Sequence, residues 1–172
     1  MSLIYWHAHN KKILSETKKP ANDVKSCNCR SSNNCPLDGT CLVESVIYKC
    51  QVTKDENDEG KHYIWLTGGK FKDRWARHNY SFRHGKASKS TELSKYAWKL
   101  KSKGIEPEIT WEIIDRAMPY INGSKACNLC LTEKYHIITS KLPLLNKRTE
   151  LISKCRHLNK FILSNYKSVP PD

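Results

Sequence analysis

Residues 27–41, CNCRSSNNCPLDGTC, place Cys27, Cys29, Cys35 and Cys41 within fifteen positions that hold almost no other apolar side chain. Ser, Asn, Asp, Gly and Pro favour turns over helices and strands, and this stretch has nothing to fold around. Four thiolates are a complete tetrahedral ligand set for zinc at about 2.3 Å, and in a segment without a core the metal's binding energy becomes folding energy. The C-x-C-x5-C-x5-C spacing differs from a standard zinc ribbon. The plainer reading, free cysteines in a loop, leaves the segment with nothing to order it. A second group joins the C-x2-C hook of Cys127 and Cys130 to the C-x-H hook of Cys155 and His157. It would hold a second zinc, or else be two buried helical cysteines and a chance histidine. Cys50 reads as a core residue. Clustered cysteines point to metal rather than disulfides in a reducing compartment. The start, MSLIYWHAHNKK, lacks a secretory cleavage pattern. An intracellular, nuclear protein is expected.

Thirty Lys and Arg face 17 Asp and Glu, a net charge of +13. Such a chain needs a polyanionic partner, DNA or RNA before an anionic membrane. No apolar run approaches the roughly 20 residues of a spanning helix, so no membrane role is expected. Eleven of the cations lie in residues 70–103, against only Asp73 and Glu92. The bland reading is two solvated helix faces. The sharper one is a phosphate-facing surface formed by Lys70, Lys72, Arg77, Arg83, Lys86, Lys89, Lys95 and Lys99, with aromatic residues between the charges.

Hydrophobic patterning predicts an α+β domain, a small three-stranded antiparallel sheet flanked by helices, in the order β-β-α-α-β-α-α. Strands are expected at 46–52, 62–66 and 109–114, the first two joined by the acidic DENDEG turn. The first strand sets Val46, Tyr48, Cys50 and Val52 on one face. A helix follows with Phe71, Trp75, His78 and Phe82 on one stripe, then a second through STELSKYAWKLKSKG burying Leu93, Tyr96, Ala97 and Leu100. A third spans 125–139 and stops at Pro143, and a last covers about 147–163. The expected division is an extended basic lead-in at 1–26, a cysteine-rich zinc segment at 27–45, the main domain at 46–165 and a flexible tail at 166–172. The lead-in reads as the trailing edge of a larger polyprotein.

Tyr48 and Tyr63 fall on the paired strands, Arg74 follows Tyr63 by eleven residues, and His78 is one turn further on. Glu133 and Asn146 come later. In chemical terms this is a phosphodiester-cutting set. A carboxylate holds one hard divalent cation, Mg2+ or Mn2+. The cation neutralises developing phosphorane charge, and an Arg adds a second clamp. A tyrosine near both would have its pKa drawn below the ordinary value of about 10 and serve as a general base for water. Each residue also has a plain reading: ordinary strand tyrosines, surface arginine, core-edge histidine, solvated glutamate.

Over residues 46–150 this order resembles the GIY-YIG nuclease family, and in particular the domain attached to the reverse transcriptases of Penelope-like retroelements. CNCRSSNNCPLDGTC, STELSKY, CNLCLTEK and LLNKRTELISKCRH carry that narrower likeness. The resemblance matches Tyr48 and Tyr63 to the two motif tyrosines, Arg74 to the arginine, and His78 to the histidine or tyrosine one turn later. Glu133 matches the metal-binding glutamate and Asn146 the late structural asparagine. It implies a metal-dependent DNA endonuclease with a reverse transcriptase as partner in the parent element. The chain departs from the motifs in reading VIY and YIW, and Trp65 stands where the family's glycine lets the backbone run close to the site. The alternative is a zinc-containing nucleic-acid-binding module that has lost catalysis, and Trp65 separates the two.

The charge pattern makes DNA affinity fall steeply with salt, because Lys and Arg contacts release condensed counterions. Reversing Lys86, Lys89, Lys95 and Lys99 is expected to weaken binding on all sequences alike in a titration at fixed salt. An affinity indifferent to salt would remove these helices as the binding surface.

Overall fold

The β-prone run from Val46 to Thr53 forms β1, and Lys61–Thr67 forms β2, paired antiparallel with Tyr48 opposite Trp65 and Cys50 opposite Tyr63. A computed structural model of the chain describes residues 26–31, 34–122 and 127–147. In the acidic connection the Asp58 carboxylate accepts from the Lys54 and Gly60 backbone N–H groups at 2.9 and 3.1 Å. Gly60 has φ +70, and a Cβ there would stand 2.7 Å from the Val52 carbonyl oxygen, so both conformation and space require glycine. Glu108–Arg116 forms β3 on the other side of β1, giving the antiparallel order β2-β1-β3.

β1 is therefore the central strand. Val46, Ile47, Tyr48, Cys50 and Val52 are all fully buried. Burial of Ile47, which points away from the expected inner face, follows from helices on both sides of the sheet. Phe71–Arg83 forms α1, a short 3-10 turn follows at Gly85–Ala87, and Glu92–Lys101 forms α2. These cover the Tyr48 face: Phe82, Leu93, Ala97 and Leu100 pack with Cys50, Val52 and Tyr63, and Phe71 packs with Val46 and Tyr48. The Trp98 indole donates to the Ser81 carbonyl at 2.9 Å and ties α2 to α1. Asn128–Thr139 forms α3 on the opposite face, where Leu129, Cys130 and Ile137 meet Ile47, Ile64 and Leu66.

The strands exceed their expected spans by one or two residues at the ends. α2 begins at Glu92 because Thr91 and Ser94 form a reciprocal capping box. Tyr96 and Trp75 are only half-buried in their stripes, while Ser81 and Ser94 are buried instead. α3 starts three residues later than expected, since Cys127 is its N-cap and its sulfur accepts from the Cys130 N–H. It ends at Thr139 as expected, four residues short of Pro143, with Ser140 already extended at φ −67, ψ 133. The expected helix at 147–163, nearly all of the 1–26 lead-in and the 166–172 tail lie outside the described residues. No described helix is long and apolar enough to cross a membrane.

The chain after α3 covers the outer edge of β2. The His62 N–H donates to the Pro143 carbonyl at 3.0 Å, and the Leu145 N–H donates back to the His62 carbonyl at 2.7 Å. Asn146 completes the edge: its Oδ1 accepts from the Ile64 N–H at 2.9 Å and its Nδ2 donates to the Ile64 carbonyl at 2.7 Å. One side-chain amide thus satisfies both groups of a strand residue, as a further strand would. Asn146→Asp removes the donor and sets a carboxylate against a carbonyl. A loss of about 1–3 kcal/mol is expected in urea denaturation, and an unchanged midpoint would show that the edge does not depend on Asn146.

Candidate functional site

The four cysteines of the lead segment converge. All their sulfur atoms lie within 4.8 Å of one another, with Cys27–Cys35 and Cys29–Cys41 at 3.7 Å and Cys27–Cys41 at 3.6 Å. A regular tetrahedron with a zinc–sulfur bond of about 2.3 Å has edges of roughly 3.8 Å, so the set fits one ion. Backbone groups are aimed at the sulfurs as they are in metal knuckles: the Cys29 N–H lies 3.3 Å from Cys27 Sγ, and the Gly39 N–H lies 3.1 Å from Cys35 Sγ. The latter depends on a tight turn in which Asp38 and Gly39 both have positive φ, +43 and +92. Burial raises the Cys35 thiol, but the Leu37 and Gly39 N–H groups and the neighbouring thiols outweigh it and hold it at about 6. Burial pushes Cys41 up to about 12, and the adjacent thiols push the same way. A cation would reverse that second shift, since the thiolate is the form that binds metal.

This knuckle also caps α1. Lys70 gives the helix no side-chain cap. Instead the Phe71 N–H donates to the Val43 carbonyl and the Lys72 N–H to the Cys41 carbonyl, each at 2.8 Å. Two of the orphan donors of the first helical turn are thereby satisfied by the cysteine segment. The Lys72 ammonium reaches Asn28 Oδ1 at 2.7 Å, and Leu37 packs with Phe71 and Tyr48.

One turn into α1, Arg74 and His78 meet Tyr48. The Arg74 Nε–H donates to the Tyr48 hydroxyl at 3.1 Å, and that hydroxyl lies 2.8 Å from His78 Nε2. The Tyr48 hydroxyl is thus shared between the Arg74 guanidinium and the His78 imidazole. Burial, reinforced by the Arg74 charge, lowers the His78 pKa from 6.5 to about 3, and the ring is neutral. Burial pushes Tyr48 well above the ordinary tyrosine value, Arg74 offsets this only in part, and Glu133 adds to the rise. The Arg74 guanidinium alone does not draw this tyrosine toward a phenolate: its ring is wholly buried, and desolvation of the anion outweighs the arginine.

The remaining expected site residues are divided between the two faces and the outer edge of the sheet. Tyr63 is on the same sheet face, its ring stacked on Trp65 at 5.4 Å and 17°. Trp65 in turn lies under the Arg74 guanidinium, 5.5 Å from Cζ to the ring centroid. Trp65 is therefore a platform for the Arg74 guanidinium. Glu133 is buried on α3, the helix of the opposite face, and its charge is felt at the Tyr48 hydroxyl. Burial excludes the reading of Glu133 as a solvated helix residue. Asn146 is the edge clamp of β2 described above.

Of the expected phosphate contacts, Lys72 and Lys95 are engaged within the chain, Lys95 with Glu92 at 2.7 Å. Lys70, Arg77, Arg83, Lys86, Lys89 and Lys99 are exposed. Cys127 and Cys130 are buried in the apolar layer beneath α3, while Cys155 and His157 lie outside the described residues. A pair passed over in the sequence is His136 on α3 and Asp115 on β3, joined at 2.9 Å. The i, i+3 spacing of Glu133 and His136 was the one signal that pointed there. No family model matches this chain, nor does any curated protein or solved structure.

Two outcomes follow from this geometry. Metal analysis of gently purified protein is expected to find zinc, and Cys41→Ser to lower the thermal midpoint; zinc-free, fully folded protein would contradict the knuckle. The folded pKa of His78 lies below its unfolded value of 6.5. Its contribution is whole above about pH 6.5 and is lost as the pH falls toward 3, because the unfolded chain takes up the proton first. Denaturation of the protein and His78→Gln side by side isolates this dependence, and parallel curves below pH 6 would show that His78 is not held neutral.

Proposed function

We propose that the chain is a GIY-YIG-type endonuclease that nicks DNA by hydrolysing phosphodiesters with a divalent cation, and that it derives from a Penelope-like retroelement. The supporting observation is that Arg74, found by its order and spacing after Tyr48 and Tyr63, is fixed between the Tyr48 hydroxyl and the Trp65 ring, next to a neutral His78. A guanidinium immobilised on both sides is a preorganised positive partner for a phosphate that gains charge. The Tyr48 hydroxyl and His78 Nε2, 2.8 Å apart, form a hydrogen-bonded pair beside that guanidinium. Glu133, a buried carboxylate whose field reaches Tyr48, is the residue that would hold Mg2+ or Mn2+. When bound, such a cation supplies charge neutralisation at the phosphoryl oxygens. The exposed cations of α1 and α2 would track the DNA backbone. A nuclear location and a reverse transcriptase in the parent element belong to the same reading.

A second reading, a zinc-braced nucleic-acid-binding module without catalysis, is favoured by the depth of Tyr48 and by its raised pKa. A supercoiled-plasmid nicking assay with Mg2+ or Mn2+ separates the two. Cleavage is expected from the natural protein. Arg74→Ala is expected to reduce it by about two orders of magnitude, the effect of removing one fixed oxyanion donor. Glu133→Ala is expected to abolish cleavage with DNA affinity intact, and Tyr48→Phe to slow it. Trp65→Gly is expected to lower the rate, because Arg74 loses its platform; a higher rate would show that the ring obstructs the site. If the natural protein cuts no DNA with either ion, the binding-module reading stands.

A further inference from the structure

An open cleft of about 760 Å3 lies between the cysteine knuckle, α1, α2 and β3. Trp75, Phe82 and Trp111 supply its large apolar surfaces, and Asn34 and Asn79 supply amide groups. Its charges cancel. Lys101 and Glu106 pair at 2.9 Å, and the lining holds one further cation, Arg83, and one further anion, Asp38. The cleft is thus aromatic and without net charge, yet it adjoins a segment, residues 70–103, that carries eleven cations. A lining of this kind does not suit a phosphate. It suits a planar, uncharged heterocycle carried on an anionic backbone, with rings to stack on and amides to meet the heterocycle's edge.

We infer that the cleft receives an unpaired base from a single-stranded stretch of nucleic acid, while the flanking phosphates run onto α1 and α2. The back wall of the cleft belongs equally to the cluster described above. The Trp111 ring lies 5.3 Å from the His78 ring and 5.9 Å from the Tyr48 ring, and Trp75 follows Arg74 directly on α1. A base seated there keeps its own backbone close to Arg74. On the nuclease reading, on which this last step alone rests, the substrate is a strand with one base turned out of the stack beside the cut.

The test compares a short labelled oligothymidylate with an abasic oligomer of the same length and charge, using fluorescence anisotropy on the full chain at fixed salt without divalent ions. The thymidylate is expected to bind about tenfold more tightly and to quench tryptophan emission, and the abasic strand to leave that emission unchanged. Trp75→Leu, which keeps an apolar group on a half-buried position, is expected to bring the two affinities together. Equal affinities for the natural protein, with no quenching, would overturn the base site while leaving salt-dependent attraction and the nuclease reading in place. Binding of neither oligomer would overturn the base site together with the phosphate-facing role of α1 and α2. Quenching that persists unchanged in Trp75→Leu, with the tenfold preference intact, would also overturn this cleft as the base site.

Discussion

The first turn of α1 rests on two carbonyls of the cysteine segment, those of Val43 and Cys41. The helix has no side-chain cap of its own, so its start and angle are set by a loop that has little to hold it except four converging sulfurs. Everything α1 carries inherits that dependence: Arg74 and His78 on the flank that meets Tyr48, Trp75 and Asn79 on the flank that meets the cleft. A metal at the knuckle would therefore act on the site without touching it, by fixing the helix from which the site projects. The knuckle has no chemistry at the Tyr48 hydroxyl, yet its loss would be felt there as misplacement of a guanidinium.

Tyr48 shows how burial and function pull against each other. As the central residue of a central strand it is wholly buried, which favours the neutral phenol. Its hydroxyl is nevertheless engaged on two sides, accepting from the Arg74 guanidinium and paired with the His78 imidazole. Such a group has two defined neighbours, but its rest state is not that of a base. Trp65 resolves a second tension. The bulky ring at a position where glycine is expected is accommodated by stacking on Tyr63 and by taking the Arg74 charge on its other side.

Much of the fold was legible in the sequence because it rests on short-range rules. Alternation gave the three strands, and the i, i+4 stripe placed Arg74 and His78 on one side of α1. The capping pair Thr91 and Ser94 lies in a recognisable Ser-Thr run, and the helix starts where that run ends. The cysteine spacing marked the knuckle because nothing else in those fifteen residues can order them. What depends on depth was not legible. No local pattern reveals that Tyr48 is buried deeply enough to raise its pKa, that Trp75 is only half-buried, or that Trp65 lies under Arg74. The role of Asn146 came from resemblance alone, since its partner Ile64 is 82 positions away. The cleft was invisible for the same reason: its walls come from four separate elements.

The proposed cation seat at Glu133, whose charge reaches Tyr48 from the helix on the opposite sheet face, is what would turn the cluster of Tyr48, Arg74 and His78 into a phosphodiester-cutting site. Mn2+ broadens the NMR signals of nearby nuclei, so titrating it into protein with labelled histidine and tyrosine tests that placement directly. The expected result is selective broadening of the His78 and Tyr48 signals, lost in Glu133→Gln. Broadening confined to residues flanking the acidic 55–59 loop, such as His62, with His78 and Tyr48 unaffected, would contradict it.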